Sequence, residues 1–349
     1  MTLAGFPETY EQARSAFKNA ALRVGAVVDS REVYEDLTID VASLGSDNPD
    51  WALVVSSGMH GVEGFIGSAI QLNYLDVLDR AALAPNGQLV LIHAVNPYGF
   101  SYLRRVNEDN VDLNRNFLEP AEYEGADPLY EKVNTFLNPG RIRDSTFMYY
   151  AKVGALISRY GFQPLRQVVT RGQYEFPQGL FFGGIQAAAS YRILEQKFRE
   201  WVRAKHVFLD LHSGLGRYGR CTLLTASSTD MEKYSKEFGL KGDIVGKDSR
   251  TAYETKGDLE KWVREHCRDK DYHFLTAEFG TYWGLRILLA LRNENAAHFD
   301  PQASQEAISR AKQDLLECFC PRSFRWRSRV VKEGLQLLSR AQKAAAELA

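Results

Sequence analysis

The chain has little cysteine: four residues in 349, too few to staple a protein of this size with disulfides. It also has no long apolar run. None approaches the roughly 18–20 residues that would span a bilayer, which argues against a membrane protein. Charge of one sign is missing as well. There are 43 Lys and Arg against 44 Asp and Glu, for a net charge of −1. Bulk electrostatics therefore recruit neither nucleic acid nor a membrane surface. The N-terminus lacks the basic start and apolar stretch of a secretory signal, so a cytoplasmic protein is expected. No repeat, low-complexity tract or Pro/Gly/Ser-rich linker divides the chain, and one domain over residues 1–349 is expected. Hydrophobic content of 45% and charged content of 25% are ordinary for a soluble globular protein. Oligomeric state is not encoded in any of these features.

What is present alternates between two periodicities. Tyr10, Ala13, Phe17, Ala20 and Leu22 give an amphipathic helix. Alternation over Val33–Val41 predicts an antiparallel strand. Apolar runs at 51–57, 88–95, 206–211, 221–226 and 274–278 read as strands. Helices are expected at about 65–82, 122–137, 147–160, 187–204, 229–238, 258–267, 284–297, 302–318 and 324–347. Residues 100–118, rich in Asn and Arg, read as a surface loop. The glycines and Pro177 of residues 170–184 mark a turn-rich loop. The fold class implied is α/β, a mixed, mostly parallel twisted sheet with helices on both faces.

Three motifs sit at the ends of apolar strands: His60-Gly-Val-Glu63, Asp210-Leu-His212-Ser and Ala-Glu278-Phe-Gly. Loops at the C-terminal ends of parallel strands are where α/β proteins build sites. Two imidazoles and one carboxylate, with a second carboxylate to move protons, are the parts of a catalytic zinc centre. Each motif is ambiguous in isolation. His60 can be a loop histidine bonded to backbone, Glu63 a surface charge, His212 a core histidine and Glu278 a salt-bridged structural residue. Asp210, expected on the opposite or end-on face of its strand, can orient a ligand imidazole or serve as a cap. Cys318-Phe-Cys320 reads as two thiols in a helix-ending turn rather than a metal or redox pair. A fourth element, residues 96–117, gathers Arg104, Arg105 and Arg115 with several asparagines. Arginine grips carboxylates bidentately and stabilises an oxyanion at a polarised carbonyl.

Together the H-x-x-E pair, the later His after a strand, Val111-Asp-Leu-Asn-Arg-Asn-Phe117 and the late Glu resemble the M14 zinc carboxypeptidase family. Residues 172–184 further resemble its bacterial DUF2817 subgroup, and the likeness runs over roughly residues 5–345. The resemblance implies one zinc ion on His60, Glu63 and His212, with Glu278 as general base. It implies Arg105 as the carbonyl-polarising arginine, with Arg104 the competitor. It implies Asn114 and Arg115 as the pair that holds a substrate carboxylate. Tyr253 is the counterpart offered for the family's mobile tyrosine, with Tyr282 as an alternative. A zinc-carboxypeptidase-like fold follows, with an insertion at about 120–190 that shapes the cleft. The substrate expected is a small peptide with a free carboxylate. An N-acyl amino acid, cleaved by a deacylase resembling aspartoacylase and succinylglutamate desuccinylase, is the alternative. A non-catalytic zinc protein is a third reading, disfavoured because no fourth His or Cys pairs with the three ligands.

Overall fold

The structure is a computed structural model that describes residues 5–83, 86–142, 145–202, 205–225, 231, 234–235, 244–246, 255–267 and 272–347. Eight strands form one sheet: β1 (Val27–Tyr34), β2 (Leu37–Gly45), β3 (Trp51–Ser57), β4 (Gly87–His93), β5 (Lys205–Gly214), β6 (Cys221–Thr225), β7 (Ile244–Gly246) and β8 (Tyr272–Gly280). Their spatial order is β1-β2-β4-β3-β5-β8-β6-β7. The central β4-β3-β5-β8 block is parallel, and β2 and β6 join it antiparallel. β3 is buried along its whole length. That is why it reads as a continuous apolar run rather than an alternation, the mark of a strand covered on both faces.

The chain leaves β3 for β4 on one side and then crosses to β5 on the other. The C-terminal end of β3 is therefore the point where strand order reverses, and a crevice opens there in α/β sheets. On one face α1 (Tyr10–Arg23), α2 (Gly64–Val77) and α11 (Phe324–Ala346) cover the sheet. On the other lie α7 (Ala189–Trp201) and α8 (Leu259–His266). The α1 stripe of Tyr10, Ala13, Phe17 and Ala20 is buried at helical spacing, and Thr9 caps the helix through the amide of Gln12. α9 (Gly284–Phe299) and α10 (Gln305–Phe319) pack with Val62 and Phe181 in a third apolar cluster beside the end of β3.

Several expectations are corrected. The strand expected over Val33–Val41 is a hairpin, because Glu35 and Asp36 take positive φ (38° and 67°) and turn β1 back into β2. Alternating polarity runs through the turn and hides it. The first long helix ends at Val77, short of 82. Within the stretch expected to insert, Pro120–Glu122 form a single capped turn and α4 begins only at Pro128, running to Leu137. After α5 (Thr146–Tyr160), Gly161 (φ 83°) breaks the chain and α6 (Phe162–Arg171) follows, unexpected from sequence. The short helix α3 (Pro97–Ser101) and β7 were also not foreseen. Most of the helix expected at 229–238 lies outside the described residues. Among the described residues no helix is long and apolar enough to cross a membrane.

The largest correction concerns residues 100–118. They do not form a surface loop: Arg104, Asn107, Asn110, Asp112, Arg115 and Asn116 are all buried. Asparagine earns that place by replacing secondary structure. Asn107 accepts from the Val111 amide, while Asn116 donates to the carbonyls of Gly183 and Gln186 and accepts from Ala188. Polar groups that satisfy one another in this way can be buried without the usual penalty.

Candidate metal centre

His60 follows β3 and caps the single turn Gly61–Glu63. Gly61 permits that turn, since a Cβ there would lie 2.0 Å from the Gly99 backbone. His212 lies near the end of the neighbouring strand, β5. One ligand atom from each of His60, Glu63 and His212 lies within 4.8 Å of the others, and all three residues are buried. Nδ1 of His60 is 2.8 Å from Glu63 Oε1, and Nδ1 of His212 is 3.1 Å from Glu63 Oε2. The two Nδ1 atoms are 3.2 Å apart.

Both imidazoles thus aim Nδ1 at one point and turn Nε2 outward onto a carboxylate. For His212 that carboxylate is Asp210, at 2.6 Å, which also accepts from the Ser56 hydroxyl at 2.6 Å. Asp210 lies on the same face as His212 and not on the opposite one, as residues two apart in a strand must. For His60 it is Asp112, at 3.3 Å. Asp210 behind His212 fixes the tautomer that leaves its Nδ1 to a metal, whereas Nε2 of His60 is shared between Asp112 and the closer Arg105 guanidinium. Two nitrogens and a carboxylate oxygen in one buried spot, each ring oriented from behind, are a donor set that fits a divalent ion such as zinc.

The electrostatics are those of a cation site. Burial works to raise the Glu63 carboxyl, but His60 and His212 outweigh it and hold it below the ordinary range. Burial likewise works against Asp112 ionisation, yet Arg105, Arg115 and His60 hold its carboxyl well below the usual value. Burial works to lower His212, and Asp210 and Glu63 overcome it and raise the imidazole well above normal. Glu278 behaves differently. It pairs with His212 across the β5–β8 ladder, and burial pushes its carboxyl up to about 7 against the pull of His212. Its Oε2 lies 3.4 Å from the Leu215 amide.

The two competing arginines separate cleanly. Arg105 reaches the centre: NH2 is 2.7 Å from His60 Nε2, NH1 3.4 Å from Glu63, and Nε 3.1 Å from Asp112. Arg104 is buried elsewhere, bonded to Glu294 at 2.8 Å and to Asn110 at 3.1 Å. Asn114 and Arg115 are close by in sequence but are engaged. Asn114 Oδ1 accepts from the Leu259 amide at the start of α8, and the Arg115 guanidinium bonds the carbonyls of Thr170 and Asn114. Tyr253 lies outside the described residues. The Tyr282 hydroxyl donates to Glu317 at 2.6 Å, and the Arg286 guanidinium stacks 3.6 Å from its ring centre. Sequence reasoning missed Asp112 as the partner of His60. Asp112 stands out in Val111-Asp-Leu-Asn-Arg, but no local pattern says which side chain it meets. Cys318 and Cys320 are buried thiols, pushed up to about 11 and about 12 by burial, and therefore inert.

No curated protein matches the sequence. Among solved structures, the chain is similar to a metallo-carboxypeptidase from Pseudomonas aeruginosa in complex with (2-guanidinoethylmercapto)succinic acid. The two are 13% identical with a TM-score of 0.51, over 98% of this chain and 70% of that one. It is similar to carboxypeptidase A from Helicoverpa armigera at 15% identity and a TM-score of 0.50, over 97% and 74% of the two chains. It is also similar to a chain from the complex of bovine thrombin-activatable fibrinolysis inhibitor with tick carboxypeptidase inhibitor, at 12% identity and a TM-score of 0.52, over 98% of each. At these identities the likeness shows a shared metallocarboxypeptidase fold. The model of the family described as "Protein of unknown function (DUF2817)" matches residues 6–333, and the chain belongs to that family.

Proposed function

We propose that the protein is a zinc-dependent hydrolase that cleaves an amide bond beside a free carboxylate, in the manner of a metallocarboxypeptidase. The observation that carries this reading is the convergence of His60, Glu63 and His212, with Glu278 next to His212 on the adjoining strand. His60, Glu63 and His212 would hold the ion. Bound zinc supplies a Lewis acid and brings the pKa of water toward about 7. Glu278, buried beside His212 on the adjoining strand, would take a proton from attacking water and deliver it to the departing amine. Arg105, whose guanidinium reaches His60 and Glu63, would stabilise the developing oxyanion. Arg115 and Asn114 recognise the substrate carboxylate. The proposed setting is the cytoplasm, in keeping with four free cysteines.

One observation favours a small substrate, and with it the N-acyl amino acid deacylase reading. The centre is nearly closed to solvent: His60 is 4% exposed, Glu63 1%, His212 2% and Glu278 8%. A folded protein's terminus does not enter such a site without rearrangement.

The test is turnover of a panel of dipeptides and N-acyl amino acids by the zinc-loaded protein and by Glu278→Gln. The variant should retain one zinc per chain and lose about 10²–10⁴-fold in kcat. Turnover of the best substrate within a factor of three of the unaltered protein would remove Glu278 from the mechanism.

A further inference from the structure

Arg115 is a buried cation, 2% exposed, held in an unusual way. The other two arginines of its loop are balanced by carboxylates, Arg104 by Glu294 and Arg105 by Asp112. Among the described residues no carboxylate forms an ion pair with Arg115. Its Nε and NH2 instead converge on one neutral oxygen, the Thr170 carbonyl, at 2.9 and 2.6 Å. That edge of a guanidinium is the one that takes a carboxylate bidentately. Asp112 lies within electrostatic reach of Arg115 and NH1 bonds the Asn114 carbonyl, but the fork itself faces only a neutral carbonyl oxygen, a weaker partner than a carboxylate.

The segment that supplies this carbonyl is built around Arg115. Gly172 takes a left-handed backbone (φ 104°) and lies against the Arg115 stem, where a Cβ would sit 2.9 Å from Cδ. The chain then pairs Gln173 with Phe182 and returns, with the Asp112 amide donating to the Phe182 carbonyl at 2.7 Å. Phe181 lies between the two arginines of the site. Its ring centre is 5.3 Å from the Arg105 guanidinium carbon and 5.8 Å from that of Arg115. Phe181 also takes φ 56°, a left-handed conformation that is strained for a bulky residue. The segment is therefore held partly by cation–π contacts to the very groups a substrate would engage, and carries strain that displacement would release.

We propose that residues 170–182 form a displaceable strap, in which the Thr170 carbonyl keeps the place of a substrate carboxylate in the Arg115 fork and Phe181 is the latch. This rests on the reading of Arg115 as the carboxylate-recognising residue. A carboxylate entering the fork replaces a neutral acceptor with a charge-matched one, and the strap moves aside only for ligands that supply that charge. The device sets specificity for acids over amides and keeps the centre closed otherwise.

Succinate is a suitable probe, with uncharged succinamide as its control, titrated calorimetrically into both the zinc-loaded and the metal-free protein. The unaltered chain should bind succinate and not succinamide. Phe181→Ala should bind succinate about tenfold more tightly, because the closed state no longer taxes binding. Arg115→Lys, which keeps the charge but loses the fork, should weaken it at least tenfold. Hydrogen exchange at the Asp112 and Lys256 amides, which are bonded to the strap's Phe182 and Arg171 carbonyls, should quicken with succinate and not with succinamide. Phe181→Leu, which keeps bulk without a ring, should lie between, and guards against misfolding of the alanine variant. Unchanged succinate affinity in both Phe181 variants, absence of succinate binding, or unaltered exchange at both amides would overturn the strap. Because none of these readouts requires turnover, an inactive enzyme would count against the proposed hydrolase and leave this result standing.

Discussion

At the scale of the residue, Glu278 shows what burying one carboxyl costs the fold. Its carboxyl ionises at about 7 against an ordinary 4.5 because burial disfavours the charged form. A carboxyl raised in the native state binds its proton more tightly there than in the unfolded chain. Stability is therefore unaffected below about pH 4.5 and falls as pH rises toward 7, after which the full cost remains. At about 1.4 kcal/mol per pH unit of displacement, that cost is on the order of 3 kcal/mol. Glu278→Gln in the metal-free protein should accordingly be more stable than the unaltered chain at pH 8 and nearly equal to it at pH 4.5. Thermal unfolding across that range checks this, and a difference that does not change with pH would refute the buried charge as its origin. The residues legible in sequence were those whose chemistry is rare in their setting, such as a histidine and a glutamate closing apolar strands. Arg105 stood ahead of Arg104 only by its match to a motif, because adjacent residues differ only in which way the loop turns them.

At the scale of the element, the single turn after β3 does most to position the centre. It puts His60 and Glu63 three residues apart on a backbone packed against α3, with Gly61 amide and Val62 amide bonded to the carbonyls of Arg105 and Arg104. The arginine loop and the metal turn are thus one hydrogen-bonded unit. Gly61→Ala must push the turn off the Gly99 backbone, and both ligands move with it. It should lower zinc affinity by about tenfold or more while leaving far-ultraviolet dichroism intact, as competition with a chromophoric chelator will show. The hairpin between β1 and β2 is a separate case. Asp36 occupies a left-handed position that glycine adopts without strain, so Asp36→Gly should raise stability by about 0.5–1 kcal/mol in urea titration, with no effect on metal binding. A destabilised Asp36→Gly would mean that the aspartate side chain matters more to that turn than its backbone does.

At the scale of the whole molecule, the centre joins segments spread from residue 60 to residue 278 of the chain: the turn at 60–63, the loop at 104–115 and the strands carrying His212 and Glu278. An ion held by ligands from β3's turn and β5 stabilises only the folded chain. Free zinc at 100 times its dissociation constant should add about 2.7 kcal/mol, seen as a rise of a few degrees in unfolding temperature. His212→Ala should abolish that rise, and an undiminished rise would exclude His212 as a ligand. The sequence by itself determined the alternation of strands and helices, the central apolar strands and the polar residues that end them, because periodicity and burial of a parallel sheet are local properties of composition. It also carried the loop motif Val111–Phe117. The tertiary structure decided which arginine faces the centre, that Asp112 and Asp210 stand behind the two imidazoles, and that the Asn-rich loop is interior. It alone placed the Thr170 carbonyl in the fork of Arg115. Each of those depends on segments distant in sequence meeting across the end of the sheet, and no local pattern records which partner a buried polar group will find.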